Sequence, residues 1–333
     1  MKGTIGRFGI FALAAGLLTG GALANVLANE DVVQSSEDER VTAESLAPSA
    51  DGDGEVELAL TGATEATSEV PQIEAASEVT TAELGTELEQ REVTSDPLFM
   101  NYYAIFYGPA LKGTSAYQPT PSGEQDLNRP ILLKNFMTLG YNLSEQVILA
   151  GTAYWTWNPV LGQKMTMQDP YVRLGYDGLI RTDHLNLYAD MRVHFPISSV
   201  SRQNDMLAAF QSYQALSYTV GDGPLTLLLF GSERTNVFGK RGYGNDLELY
   251  LGPSINVRLS RKLALTVLYE MHVNHEFGQK AFSFYSEPSD LEPGVSWEIS
   301  PNLSINPYLN LYPGSKMTLS SSSIGMLMSW TLL

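Results

Sequence analysis

The stretch from Asp246 to Asn274 alternates between apolar and polar side chains over two long runs. In the first run the odd positions are apolar, and they are Leu247, Leu249, Leu251, Pro253, Ile255, Val257 and Leu259. After the short link Ser260-Arg261 the alternation resumes. Because successive side chains of a strand point to opposite faces, this pattern predicts two long strands, each with one apolar and one polar face. Strands of soluble sandwiches usually have about 5–6 residues. The two runs are therefore better suited to crossing a membrane as a tilted hairpin.

The same alternation recurs from Leu98 to the end of the chain and predicts about twelve antiparallel strands. The predicted strands cover residues 98–107, 132–143, 147–157, 171–178, 185–195, 209–220, 225–232, 246–259, 262–274, 291–299, 303–312 and 323–332. The seventh is among the least regular, because Leu227 to Phe230 is apolar at every position. Links between strands alternate strictly in length, from short ones such as 144–146 to long ones such as 109–130 and 233–245.

Aromatic side chains lie on the apolar face near both ends of the predicted strands. They are Tyr141, Trp155, Trp157, Tyr176, Phe195, Tyr218, Trp297 and Trp330. Such positions are typical of the interfacial girdles that flank a lipid-facing band. Together with the even strand count and the alternating links, they make residues 97–333 resemble a bacterial outer-membrane β-barrel of the porin-like, channel type. The resemblance is one of architecture, and it implies an all-β, antiparallel transmembrane barrel in the outer membrane of a Gram-negative bacterium.

Residues 1–24 have the organisation of a secretory signal peptide. Lys2 and Arg7 precede an apolar run from Phe8 to Leu18, and Ala22-Leu23-Ala24 provides a small-x-small cleavage site. The chain has no cysteine, so oxidising conditions outside the cytoplasm expose no thiol. An even number of strands returns the chain to its starting side, and the short links are expected on the periplasmic side. Both termini are therefore predicted to be periplasmic.

Residues 25–96 form an acidic low-complexity segment that carries the net charge of the chain. This segment has 19 acidic residues against Arg40 and Arg91, whereas residues 97–333 are close to neutral. Its low apolar content predicts a mostly disordered periplasmic extension. Residues 82–93 are the exception, because they are compatible with a short helix that plugs the barrel or docks on a periplasmic protein partner. No basic stripe exists to bind phosphates, so nucleic acid is not expected as a partner.

The phase of the predicted strands directs charged side chains and histidines toward the lumen. The predicted lumen-lining residues are Lys134, Arg173, Asp177, Asp190, Arg192, His194, Asp246, Glu248, Arg258, Lys262, Glu270, His272, Glu292 and Glu298. A lumen with charges of both signs is compatible with two functions. The first is a passive porin-like channel for small polar solutes. The alternative is a structural or interaction barrel whose lumen is filled by paired side chains and whose acidic tail binds periplasmic partners.

An outer-membrane hydrolase is the third alternative. Such enzymes carry a histidine and a serine on the outer wall, with a third polar group that orients the histidine. No serine follows His272 or His275 at a spacing of two, so no catalytic residue and no enzyme activity is predicted. No metal-ligand spacing recurs, and Gly239 to Gly244 lacks the βαβ context of a nucleotide site, so no metal or cofactor is predicted. Lys240 and Arg241 in that loop instead suggest contacts with lipopolysaccharide phosphates, in addition to outer-membrane lipid.

Overall fold

The structure is a computed structural model that describes residues 97–113, 115–315 and 317–333. The predictions of a signal peptide in residues 1–24, of a disordered extension in residues 25–96 and of a helix at 82–93 lie outside these residues. Among the described residues, no helix has the length and apolar character needed to cross a bilayer.

The described chain is built almost entirely from β-strands. They are β1 (Leu98–Ala110), β2 (Tyr117–Pro119), β3 (Gln125–Pro130), β4 (Leu132–Asn142), β5 (Val147–Trp157), β6 (Met165–Met167), β7 (Tyr171–Arg181), β8 (Leu185–His194), β9 (Met206–Thr219), β10 (Leu225–Phe238), β11 (Asn245–Arg258), β12 (Leu263–Glu276), β13 (Phe284–Ser286), β14 (Asp290–Ser300), β15 (Leu303–Asn310) and β16 (Ser323–Thr331). One short helix, α1 (Ser199–Gln203), lies in the link between β8 and β9.

Twelve of these strands close into a single antiparallel barrel. Each barrel strand pairs with the next one along the chain, and β1 pairs with β16 in a register that places Tyr103 opposite Ser329. The short strands β6 and β13 each extend one neighbour, β5 and β12, while β2 and β3 form a separate hairpin. Closure leaves no sheet edge in the wall, so every strand has two hydrogen-bonded neighbours. The prediction of an all-β antiparallel barrel of about twelve strands is confirmed.

The largest difference in strand bounds is at β10. The sequence pattern ended this strand at Ser232, whereas the strand continues to Phe238 and occupies much of the predicted loop 233–245. Polar Arg234 and Asn236 point inward there, and a glutamate, Glu233, interrupts the outward apolar row and makes the segment look like a loop. The short strands β2, β3, β6 and β13 and helix α1 were not predicted, since three to six residues give too little periodicity.

The two faces of the wall differ sharply in burial, and β7 shows this most clearly. Its inward residues Arg173 and Asp177 are buried, whereas its outward residues Val172, Leu174 and Tyr176 are exposed. Large apolar side chains are thus on the outside and charged ones on the inside, the reverse of a soluble protein. This distribution is the one expected when the outer surface contacts lipid.

Glycines on the inward face make room for aromatic rings that lie flat against the wall. A Cβ on Gly140 would overlap the ring of Phe99, and one on Gly325 would overlap the ring of Tyr308. In a strand, a glycine often marks a place where another group approaches the backbone closely. These rings therefore occupy less of the lumen cross-section than rings projecting from the wall would.

Replacing Gly325 with alanine is expected to destabilise the barrel by about 1–3 kcal/mol, because the new methyl group meets the Tyr308 ring in a packed interior. The matched control is Gly151→Ala, since nothing lies within 4 Å of the position that its Cβ would take. Urea unfolding of both variants in lipid vesicles measures the difference. Equal stabilities would show that Tyr308 moves aside at no cost.

Candidate functional site

The described residues line two cavities inside the barrel, one toward each end. The turn-side cavity has a volume of about 540 Å³ and is lined by residues near the short β11–β12 link, including Arg258, Arg261 and Lys262. The loop-side cavity has a volume of about 420 Å³ and is lined by residues of the long links, including Arg129 and Glu287. Strands on opposite sides of the ring, such as β1 and β10, line the turn-side cavity, so it lies within the lumen.

A thin layer of buried side chains separates the two cavities. On β1, Tyr103 lines the turn-side cavity, Tyr107 lines the loop-side cavity, and Ile105 lies between them. Ser232 on β10 and Glu270 on β12 occupy the same intermediate place on their strands. Ile105, Ser232 and Glu270 are all buried. We call these three residues, together with Tyr250, the separating layer.

Tyr250 belongs to this layer because its hydroxyl donates to Glu270 Oε1 at 2.9 Å. Its ring lies against Gly252, where a Cβ would overlap it, and packs at 5.1 Å from the His272 ring. The aromatic ring is therefore fixed at both its edge and its hydroxyl. The layer combines an apolar side chain, a serine and a carboxylate that is hydrogen-bonded to a tyrosine, and it lies between the cavities.

A buried ion-pair network stiffens the wall formed by β7 and β8. Arg192 donates from Nε to Asp190 Oδ1 at 2.7 Å and from Nη2 to Oδ2 at 3.0 Å. The Tyr188 hydroxyl donates to Asp190 Oδ2 at 3.0 Å, and Arg173 Nη1 lies 3.9 Å from the same oxygen. The Arg192 guanidinium also lies 4.9 Å from the centroid of the Tyr213 ring. One carboxylate thus holds two arginines that are almost completely buried.

A second polar network continues around the ring from β10 to β11. Arg234 Nε donates to Asn236 Oδ1 at 2.9 Å, and Asn236 Nδ2 donates to Glu248 Oε1 at 2.7 Å. His194 and Gln211 form a hydrogen bond of 3.0 Å on the adjacent strands β8 and β9. Polar side chains therefore hydrogen-bond one another across neighbouring strands, although Gln211 Nε2 has no partner among the described residues. Such pairing keeps charged groups in the lumen without leaving them unsolvated.

The predicted lumen-lining residues fall into four groups. Those lining the loop-side cavity are Lys134, Arg192, His194 and His272. Those lining the turn-side cavity are Arg258, Lys262, Glu292 and Glu298. Those buried in the polar networks or the separating layer are Arg173, Asp190, Glu248 and Glu270. The last group consists of Asp177 and Asp246. Asp177 accepts hydrogen bonds from Arg181 and Asn186.

Asp246 is placed differently from the lumen assignment made for it. It lies at a register shift between β11 and β12, and its Oδ1 contacts His275 Nδ1 at 2.6 Å. It lines neither of the two cavities described above. An extra residue at a bulge breaks the two-residue period, so alternation along the strand stops reporting the direction of the side chain at that point.

The predicted girdle aromatics lie mostly on the exposed face of the barrel. Those with exposed side chains are Tyr141, Trp157, Tyr176, Phe195, Tyr218, Trp297 and Trp330. Trp155 is partly covered, and its ring lies 6.4 Å from that of Tyr102. Asn135, on the same outward face, accepts a hydrogen bond of 2.6 Å from the Tyr102 hydroxyl.

Several residues of the site were missed at the level of the sequence. Arg234 lies in a predicted loop. The alternation of Arg234 and Asn236 with Thr235 and Val237 is a sequence signal that could have predicted a longer strand. Asp169 and Glu287 come from long links, and strand phase carries no information about where a loop residue lies.

The described residues form no metal site, and one histidine–carboxylate pair among them has a geometry that can be compared with a catalytic triad. No group of three or more His, Cys, Asp and Glu side chains suited to a metal ion occurs among them. The Asp246–His275 pair resembles the orienting half of a catalytic triad, but His275 Nε2 contacts the carbonyl oxygen of Lys280 at 3.0 Å. That nitrogen is the one a nucleophilic serine would need. The geometry therefore favours a structural role for this pair.

No protein-family model and no curated protein matches the sequence. Among solved structures, an outer membrane channel from Pseudomonas putida F1 has 11% sequence identity, with 72% of this chain and 97% of that chain covered and a TM-score of 0.49. The KdgM porin has 10% identity, with 71% and 99% covered and a TM-score of 0.40. The KdgM porin in complex with disordered oligogalacturonate has 11% identity, with the same coverage and TM-score.

Proposed function

We propose that the barrel spans the outer membrane of a Gram-negative bacterium and acts as a passive porin-like channel for small polar solutes. The membrane location is supported by the exposed apolar outward face, on which side chains such as Leu139, Leu174 and Met191 are more than half exposed. Water disfavours such a surface, whereas the hydrocarbon of a bilayer accommodates it.

The lengths of the links support a proposed orientation of the barrel. The chain enters β1 at the end of the wall that carries the short turns, because Leu98 pairs with Tyr141 just before the link 143–146. β16 ends at the same level, where Thr331 pairs with Asn101. Short turns are periplasmic in barrels of this type, and on this basis we propose that both termini and the acidic extension face the periplasm.

The observation that carries the channel proposal is the pair of cavities that lie toward opposite ends of the barrel and have charged side chains in their lining. Exposed Arg258 and Arg261 line the turn-side cavity, and exposed Asn128 lines the loop-side cavity. On β1, β10 and β12 the separating layer lies between the two. Each cavity is lined by side chains of both charge signs, which suits small polar solutes better than ions of one sign.

The filled-lumen alternative also has a specific observation in its favour. The separating layer is buried, and Tyr250 is held by a hydrogen bond and by ring contacts. If this layer never admits water, the barrel is a structural or interaction protein. Its acidic extension is then the more important functional part, as a binding segment for a periplasmic partner.

Conductance of the refolded full mature chain in planar bilayers tests the channel. We expect discrete conductance steps, and Tyr250→Ala should enlarge them because it removes a ring and a hydroxyl from the separating layer. Leu251→Ala is the matched control, since this adjacent side chain lies on the outward face and its loss should leave the steps unchanged. Silence of both the unmodified chain and Tyr250→Ala would favour the filled lumen.

The proposed partners are outer-membrane lipid and lipopolysaccharide. The link between β10 and β11 carries Lys240 and Arg241, which are exposed at the end with the long loops. Cationic side chains at that level are suited to the phosphates of lipopolysaccharide. No catalytic or cofactor-dependent step forms part of the proposed function.

A further inference from the structure

An unusual group of small and polar side chains lies on the outward face where β8, β9 and β10 meet. Gln214 lies between Ala189 and Gly231 in the register, and Ser212 lies beside Glu233. We call these five residues the polar patch. Glu233 shares its face with exposed Leu227 and Val237, which precede and follow it along β10. The patch therefore lies within the apolar belt of the wall.

The polar atoms of the patch lack hydrogen-bond partners among the described residues. Glu233 is only 8% exposed, yet its carboxylate forms neither a hydrogen bond nor an ion pair there. Gln214 Oε1 is buried and also has no hydrogen-bond partner in the described part of the chain. Buried polar groups are normally hydrogen-bonded, and lipid offers no donor to replace water.

Asn135 is an outward polar side chain whose hydrogen-bond partners lie within the same chain, and it provides a comparison with the polar patch. It lies on the outward face of β4, four residues before exposed Leu139. Its amide is satisfied within the barrel by the Tyr102 hydroxyl at 2.6 Å and by the carbonyl oxygen of Leu133 at 3.0 Å. The polar patch has no equivalent arrangement.

We propose that the polar patch is the contact surface between two copies of this chain in the membrane. Small residues let two walls approach closely, and polar side chains hydrogen-bond across such interfaces within lipid. The patch offers both partners of each bond, because Ser212 and the Gln214 amide donate while Glu233 and Gln214 Oε1 accept. The proposal rests on the membrane location proposed above but not on conduction.

Symmetry makes the surface self-complementary. Two copies inserted in the same orientation are related by a two-fold axis along the membrane normal, and the same patch then faces itself. If the axis passes between β9 and β10, Ser212 of one copy faces Glu233 of the other, and the contact occurs twice. A lipopolysaccharide head group does not reach this level, because its phosphates lie above the apolar belt.

The cysteine-free chain allows a direct crosslinking test in outer membranes that contain the full-length protein. Treatment of Ser212→Cys with a short thiol-reactive bis-maleimide should give a covalently linked dimer, because the two introduced cysteines lie on neighbouring strands across the contact. The matched control is Met326→Cys on β16, an outward residue on the opposite side of the ring, which should stay monomeric. Adding Glu233→Leu and Gln214→Leu to Ser212→Cys should lower the dimer yield several-fold while the barrel remains folded.

Each other outcome overturns the proposal. Equal crosslinking of Ser212→Cys and Met326→Cys would show random collision, and a crosslink to a different protein would show another occupant. An unchanged yield after the two leucine substitutions would remove the polar contact as the cause. Recovery of heat-resistant barrels in the outer-membrane fraction reports the location separately, so failure to crosslink with normal recovery counts against the dimer alone. The dimer proposal would also be overturned if the unmodified protein sedimented as a monomer in detergent at all concentrations.

Discussion

Replacing Asp190 with alanine is expected to destabilise the barrel by about 3–5 kcal/mol, enough to prevent refolding under mild conditions. Asp190 is the shared partner of Arg192 at 2.7 Å and Arg173 at 3.9 Å, and both arginines are at most 2% exposed. Without the carboxylate, two positive charges remain close together inside the wall. The free energy of unfolding, from urea titration of the barrel in lipid vesicles, measures the effect.

Asp177→Ala is the matched control for this prediction. Asp177 also forms an ion pair with an arginine, Arg181, at 2.9 Å, but the Arg181 side chain is 57% exposed. Water can solvate that guanidinium after the carboxylate is lost, so the expected cost is roughly 1 kcal/mol or less. If the two variants lose the same stability, the lumen around Arg173 and Arg192 is more hydrated than their burial indicates.

The second large effect is expected for a charge placed on the outward face. Val267 is 38% exposed and lies beside Ile255 and Pro293 in the register of β11, β12 and β14. Under the proposed location, Val267→Arg places a guanidinium in hydrocarbon and should cost about 2–4 kcal/mol, depending on its depth. The measurement is again urea unfolding in lipid vesicles.

Thr266→Arg provides the comparison, because the adjacent residue has nearly the same height and the opposite face. Thr266 lines the turn-side cavity, where an added arginine has space and polar neighbours such as Asn306. A much smaller cost is therefore expected. Similar costs at both positions would mean that the outward face of β12 does not contact lipid, and the membrane location would fail with it.

The number of strands and the faces of the wall could be predicted from the sequence because both depend on local geometry. Side-chain direction in a strand repeats every two residues. The exposed row of Val172, Leu174 and Tyr176 can therefore be predicted without knowing which strands lie beside β7. The predicted end of β10 was wrong because that period is concealed there, and at Asp246 the period itself is broken. A bulge redirects Asp246 toward His275, and Glu233 in the outward row made the second half of β10 resemble a loop.

The arrangement of the site was decided only by the tertiary structure. The alternation along β8 predicts that Asp190 and Arg192 point inward. Only the register between β7 and β8 determines that Arg173 lies near them. Whether Ile105, Ser232 and Glu270 meet in one layer depends on the stagger of strands that are far apart in the chain. The closed ring therefore determines which charges pair inside the lumen and whether an outward residue such as Glu233 finds a partner. The alternation of apolar and polar residues, by contrast, is a property of each strand alone.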